Sequence, residues 1–277
     1  MQLYCIINVA IFDKYNKQII IVDIKGSGDY ESIVEAINDI KWKKDFKDIT
    51  IIVLPGEYEE IVDLKENTNI KILFLNKDDT KLIDKSGLYI NSPLKVSGQN
   101  YIRNAYIVAD HKEGGEIPQP YSYALHFDFL GEGTSIFEDC KFESYQNSAV
   151  GIGMNKNQTL IFKNCDFYSD SDYDGGTLYI HNSVESGVKN QKVIFIDCNI
   201  VAEKGLALKI DDVNIGNGDG LGNQMEMEFI NCNFISNTLG ENCYQFTHTA
   251  IGDSALSGNI ILSPKSYGNN LDALNAD

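Results

Sequence analysis

The sequence predicts an all-β protein, a right-handed parallel β-helix closed at its N-terminal end by a capping helix. Two observations carry that expectation. From residue 101 onward one pattern recurs five times: an apolar residue, any residue, Asn or Asp, a small residue, any residue, then Ile or Phe. The copies occupy 102–107, 137–142, 162–167, 195–200 and 229–234, and their small residues, Ala105, Cys140, Cys165, Cys198 and Cys232, stand 35, 25, 33 and 34 positions apart. Periods of that size mark a solenoid or array. Within each unit apolar and polar residues alternate with period two, the period of a strand rather than a helix.

Each copy is followed by a second alternating segment: YALHFDF, AVGIG, TLYIHN, LALKID and YQFTHT. Two or three short strands per period fit one coil of a parallel β-helix, with coils stacked at about 4.8 Å. The four repeat cysteines then form an internal ladder of small, soft thiols without redox or metal chemistry. Six cysteines in 277 residues are not a disulfide framework. Asn104, Asp139, Asn164, Asp197 and Asn231 precede the small residues and read as an outer or turn ladder of polar side chains.

Upstream, LYCIINVAIF and QIIIVDI read as a hairpin around Lys14 to Lys17. The first residues carry no basic region and no cleavage site, so no signal peptide is expected. The stretch 26–29, GSGD, leads into a helical stripe of Ile33, Val34, Ile37 and Ile40, with Asp29 as the expected N-cap. A helix belongs there because the open end of a solenoid exposes core and sheet edge. ITIIVLPGEYEE (49–60) makes the first coil strand and turn. The chain thus divides into an N-terminal hairpin and capping helix (1–48), the β-helix (49–262) and a C-terminal tail, cap or assembly element (263–277).

Lys and Arg total 23 against 40 Asp and Glu, a formal charge of −17, the wrong sign for neutralising a phosphate backbone. A content of 43% hydrophobic residues with only 5 Pro excludes a largely disordered chain. No stretch approaches the roughly 20 apolar residues of a membrane-spanning helix.

KGSGDYESIVEAIND (25–39) followed by IIVLPGEYEE (51–60) resembles the opening of pectin methylesterases, which share the pectin-lyase-like β-helix. The similarity covers roughly residues 20–170, and tail-spikes and surface glycan binders of the same fold open in a similar way. The resemblance implies an Asp nucleophile, a second Asp as general acid/base, two Gln near the oxyanion and an Arg holding the nucleophile. Gln146 matches one glutamine and Asp172 falls at the nucleophile position. Tyr121 stands in place of the other glutamine and Asn147 in place of the acid/base Asp. Arg103 is the sole arginine, and Trp42 is the sole tryptophan.

With Leu125, Phe127, Val150, Ile152, Leu178, Ile180, Leu208 and Ile210 taken as core, the alternate positions point outward. They include His126, Asp128, Tyr179, His181, Lys209 and Asp211, followed by Gln245 and Thr247. Such a row suits sugar binding by stacking and hydrogen bonding. It also offers an acid/base pair, His181 with Asp211 or Asp172. The alternative is an ordinary solvated sheet face. Asp170, Asp172 and Asp174 reproduce the first half of a Ca2+ loop, but His181 occupies the closing position, so a hydrated acidic loop is the first reading and a Ca2+ site the second. No other cofactor is expected. The segment 211–223 reads as a flexible excursion. Asn157 opens a glycosylation motif that requires a secretory route.

Three functional readings follow. The first is a polysaccharide-recognition protein of the phage tail-spike or tail-fibre kind, on a virion or extracellular surface, with glycan-degrading activity and homotrimerisation as expectations by analogy. The second is a pectinesterase-like carbohydrate esterase with an altered catalytic set. The third is a structural module, with a cytoplasmic location as the alternative to the surface.

Overall fold

The computed structural model describes residues 19–42, 49–65, 69–85, 92–110, 123–127, 131–145, 147–154, 157–171, 175–182, 191–212, 225–239, 243–248 and 260–262. The expected first hairpin strand and the segment 263–277 lie outside the described residues. So do Tyr121, Asp128, Gln146, Asp172 and Asp174, and most of the loop 211–223.

Three parallel sheets wind into the expected right-handed β-helix. Sheet A has nine strands: Ile19–Val22, Ile49–Val53, Ile70–Phe74, Asn100–Arg103, Gly133–Glu138, Gln158–Lys163, Gln191–Ile196, Met225–Ile230 and Ile260–Leu262. Sheet B runs from Gly56–Glu59 to Asn233–Ser236 and sheet C from Val62–Leu64 to Tyr244–His248, each with seven strands in coil order. From Asn100–Arg103 onward, five coils pass from A through a two-residue turn to B, and then through longer connections to C and back to A.

The tight turn explains the recurring Asn or Asp. Asn104, Asp139, Asn164, Asp197 and Asn231 all adopt left-handed backbone, with φ of 59, 57, 52, 54 and 56°. Asn and Asp visit that region more readily than other residues with a Cβ, whereas most L-residues incur about 1–2 kcal/mol there. Their side chains also join the stack. Asn164 Nδ2 donates to Asp139 Oδ1 at 2.7 Å, and Asn231 Nδ2 donates to Asp197 Oδ1. Backbone amides of the turns continue the ladder, with Asp139 N donating to Lys163 O and Asn164 N to Ile196 O.

Because the turn is the same each time, side chains meet their counterparts inside. Phe137, Phe162, Phe195 and Phe229 stack at centroid separations of 5.1, 4.9 and 4.9 Å. Phe142 and Phe167 form a second column, 5.3 Å apart, that meets the first edge-on. Such pairs add about 0.5–1.5 kcal/mol beyond area burial. Cys140, Cys165, Cys198 and Cys232 are fully buried at the A–B corner, and Ala105 occupies the same place one coil earlier. The Cys140, Cys165 and Cys198 thiols donate to carbonyls of the preceding coil, as Cys165 does to Phe137 O, and Cys232 donates to Ile230 O of its own coil. Burial pushes the Cys165 thiol well above its ordinary pKa, so it stays protonated and unreactive.

The helix Ile33–Trp42 covers the N-terminal end through Ile33, Ala36, Ile37 and Ile40. Its N-cap is Ser32 rather than Asp29: Ser32 Oγ accepts from Glu35 N at 3.1 Å. The distant Glu60 carboxylate accepts from Ile33 N, Val34 N and Ser32 Oγ. Asp29 instead accepts from Ile21 N at 2.8 Å, fastening the loop to the first strand. Gly28 is required there, because a Cβ would stand 2.6 Å from Ile21 O.

The turn account separates two substitutions at one site. Asn164→Ala places an unsuitable residue in left-handed backbone and removes the Asp139 bond, so a loss of about 1–2 kcal/mol is expected. Asn164→Gly retains the backbone and loses less. Urea denaturation of both variants measures the difference, and equal losses would contradict the conformational explanation.

Candidate functional site on the outward face of sheet C

Sheet C places the predicted core residues inward: Leu125, Phe127, Val150, Ile152, Leu178 and Ile180 are fully buried and Leu208 and Ile210 nearly so. Strand alternation then fixes the outward rows. One row reads Asp63, Lys95, His126, Gly151, Tyr179, Lys209 and Gln245 through consecutive coils. A second reads Gly153, His181, Asp211 and Thr247. The predicted neighbours Tyr179 with Lys209 and His181 with Asp211 therefore share register.

The outward row is not uniformly solvated. His126 is only 8% exposed and Lys209 only 7%. Tyr123, 1% exposed, shelters His126. Its ring lies across Gly151, where a Cβ would come within 2.3 Å of it, and meets the His126 imidazole edge-on at 5.2 Å. Tyr123 is a site residue that the alternation pattern does not single out. Its signal in the sequence is indirect: Gly151 and Gly153 leave two outward positions empty, and an aromatic ring fills one.

Further along the face the Tyr179 and His181 rings stand 5.1 Å apart at 34°, both half-buried. Lys209 Nζ lies 5.9 Å from the Tyr179 ring centre, within cation–π range. The His126 pKa is pushed down to about 3, first by burial and then by the positive charges of His181, Lys95 and Lys65. At neutral pH it is an uncharged hydrogen-bonding group.

Other predicted residues lie elsewhere. Asp170 ends a sheet B strand and pairs with Lys204 at 3.0 Å, so its carboxylate is already engaged away from sheet C. Among the described residues no group of three or more His, Cys, Asp or Glu side chains is placed to hold a metal ion. Asn147 is buried and accepts from Ser148 N at 2.7 Å. Arg103 belongs to the A–B corner, where it pairs with Asp139 at 2.9 Å. On the four central strands of sheet C the outward positions among the described residues are His126, Gly151, Gly153, Tyr179, His181, Lys209 and Asp211.

A β-helix with a polar, partly sheltered row along one sheet defines the general class of this molecule. Its family follows from comparison: the pectinesterase profile matches residues 19–253, and the chain belongs to the pectinesterase family. No curated protein sequence matches it. Among solved structures it is similar to the pectin methylesterase of carrot, with 16% identity over 91% of this chain and 85% of that one and a TM-score of 0.55. It is also similar to those of Erwinia chrysanthemi (14%, 91% and 80%, 0.58) and Yersinia enterocolitica (17%, 87% and 82%, 0.58). At these identities the structural likeness is one of fold.

The buried imidazole sets an acid sensitivity. An unfolded histidine titrates near 6.5, so the stability tied to neutral His126 is complete above that pH and declines as pH falls toward 3. Between pH 7 and pH 5 the loss is about 2 kcal/mol. Chemical denaturation of wild type and His126→Gln at both pH values should show the variant gaining about that much relative to wild type at pH 5. An unchanged gap would contradict the neutral, buried imidazole.

Proposed function

We propose that the protein is a carbohydrate-active member of the pectinesterase family that takes a polysaccharide along the outward face of sheet C. The observation that carries this reading is the in-register row of His126, Tyr179 and Lys209 beside His181 and Asp211. The half-buried Tyr179 and His181 rings supply stacking surface and a hydrogen-bonding group, with the largely buried Lys209 ammonium on the next coil and His126 two coils before. A rigid solenoid keeps them aligned over a long lateral face. Family membership favours this reading over the tail-spike one, and the pectin methylesterases it resembles in fold point the same way. A protein with this role works where such polysaccharide is met, at or outside a cell surface.

Ester hydrolysis is the activity to test first. His181 is suited to general base work and Asp211 is its register neighbour. Lys209 brings positive charge to the same face, as an oxyanion requires. Gln146 and Asp172 hold the positions that the family resemblance gives to an oxyanion donor and the nucleophile. A second reading, recognition without turnover, is favoured by the burial of Asn147 at the acid/base position and by the placement of Arg103 on another face.

Partially methyl-esterified polygalacturonate tests both. Retention of the polymer is expected, with Tyr179→Ala weakening it about tenfold through loss of stacking. Methanol release that disappears in His181→Gln and Asp172→Asn supports the esterase, and retention without release supports recognition. Absence of both retention and release would overturn the assignment of this face.

A further inference from the structure

The chain carries 40 Asp and Glu against 23 Lys and Arg, yet among the described residues the outward side of sheet C carries as many lysines as carboxylates or more. Lys65, Lys95 and Lys209 stand there with the imidazoles of His126 and His181, while Asp63 and Asp211 hold the carboxylate positions. The N-terminal end of the row is the more informative. Asp63 is the register neighbour of Lys95, but both of its oxygens serve Lys65: Oδ2 lies 2.9 Å from Lys65 Nζ and Oδ1 accepts from Lys65 N at 3.1 Å. Lys95 is left half-buried with no ion-pair partner among the described residues. On the next coil His126 is neutral and offers no countercharge. Burial, and after it the charge of Lys65, holds the Lys95 pKa below its usual value, although Asp63 and Asp84 act in the opposite sense, so compensation of the ammonium is partial. A partly desolvated cation beside a second cation is costly until an anion joins them.

We propose that Lys95, with Lys65 beside it, forms an anion subsite at the N-terminal end of the sheet C face, taking the free carboxylate or sulfate of an acidic glycan in preference to an esterified unit. This rests on the reading that a glycan lies along sheet C, and it goes further by giving that face a preference for the charged form. A methyl ester presents no charge to Lys95. Lys95 and Tyr179 are three coils apart, about 14 Å at the sheet spacing, so only an oligomer of several sugars reaches both.

Calorimetric titration with a hexameric galacturonate, its fully methyl-esterified counterpart and a uronate-free sulfated oligosaccharide of equal length tests the subsite. Wild type should prefer the free acid, and Lys95→Met, which keeps the apolar stem, should reduce the ratio of free-acid to ester affinity about tenfold. Its binding should also depend less on salt, while Lys95→Arg keeps the preference. Equal Lys95 dependence for the sulfated oligomer assigns the subsite to anions in general, and dependence for the galacturonate alone assigns it to carboxylates. If Lys95→Met leaves the ratio unchanged while Tyr179→Ala weakens both galacturonates, the subsite is overturned and the groove stands. If neither galacturonate binds wild type, the groove reading falls and inorganic sulfate decides the subsite: thermal stabilisation of wild type but not of Lys95→Met retains it, and equal stabilisation overturns it.

Discussion

The whole architecture depends on one backbone constraint, the left-handed residue between sheets A and B. Five times the chain turns this corner with Asn or Asp at φ between 52 and 59°. Since each turn has the same shape, each coil leaves it in the same register, and the residue after it always points inward. That is why cysteine follows Asn or Asp four times, and why phenylalanines on both sides stack on their counterparts. Polar side chains of the turn then bond to the coil before them. The corner thus sets the core as well as the outer ladder.

The same register carries the candidate face, although sheet C lies away from the corner. Tyr179 stands beside Lys209, and His181 beside Asp211, because the strands preceding them are already fixed. Side chains on successive coils lie about 4.8 Å apart. Rigid spacing of this kind favours an extended ligand over a compact one, whatever chemistry the individual groups perform. Fold alone does not supply that chemistry. The pectinesterase family places the chain among β-helices, and on the central strands the described outward positions hold two imidazoles, a phenol, an ammonium and Asp211.

The repeat was legible from sequence because it depends on local choices: an αL-tolerant residue, a small buried one, and alternation of period two. The inward residues of sheet C followed from the same alternation. What escaped sequence reading depends on contacts across many residues. Glu60 caps a helix that starts 27 positions earlier, and Asp29, by composition a good cap, is drawn to Ile21 instead. Alternation gave the direction of His126 but not its shelter, since the Tyr123 ring meets the imidazole and crosses to Gly151 on the next coil.

The central claim is that a glycan lies along sheet C and not along the other two faces. Hydrogen exchange with and without a saturating acidic oligosaccharide tests it most directly. The account predicts added protection in 123–127, 178–182 and 208–212, with the sheet B strands 141–145 and 166–170 unchanged. Protection concentrated on sheet A or sheet B, with sheet C unaffected, would contradict it.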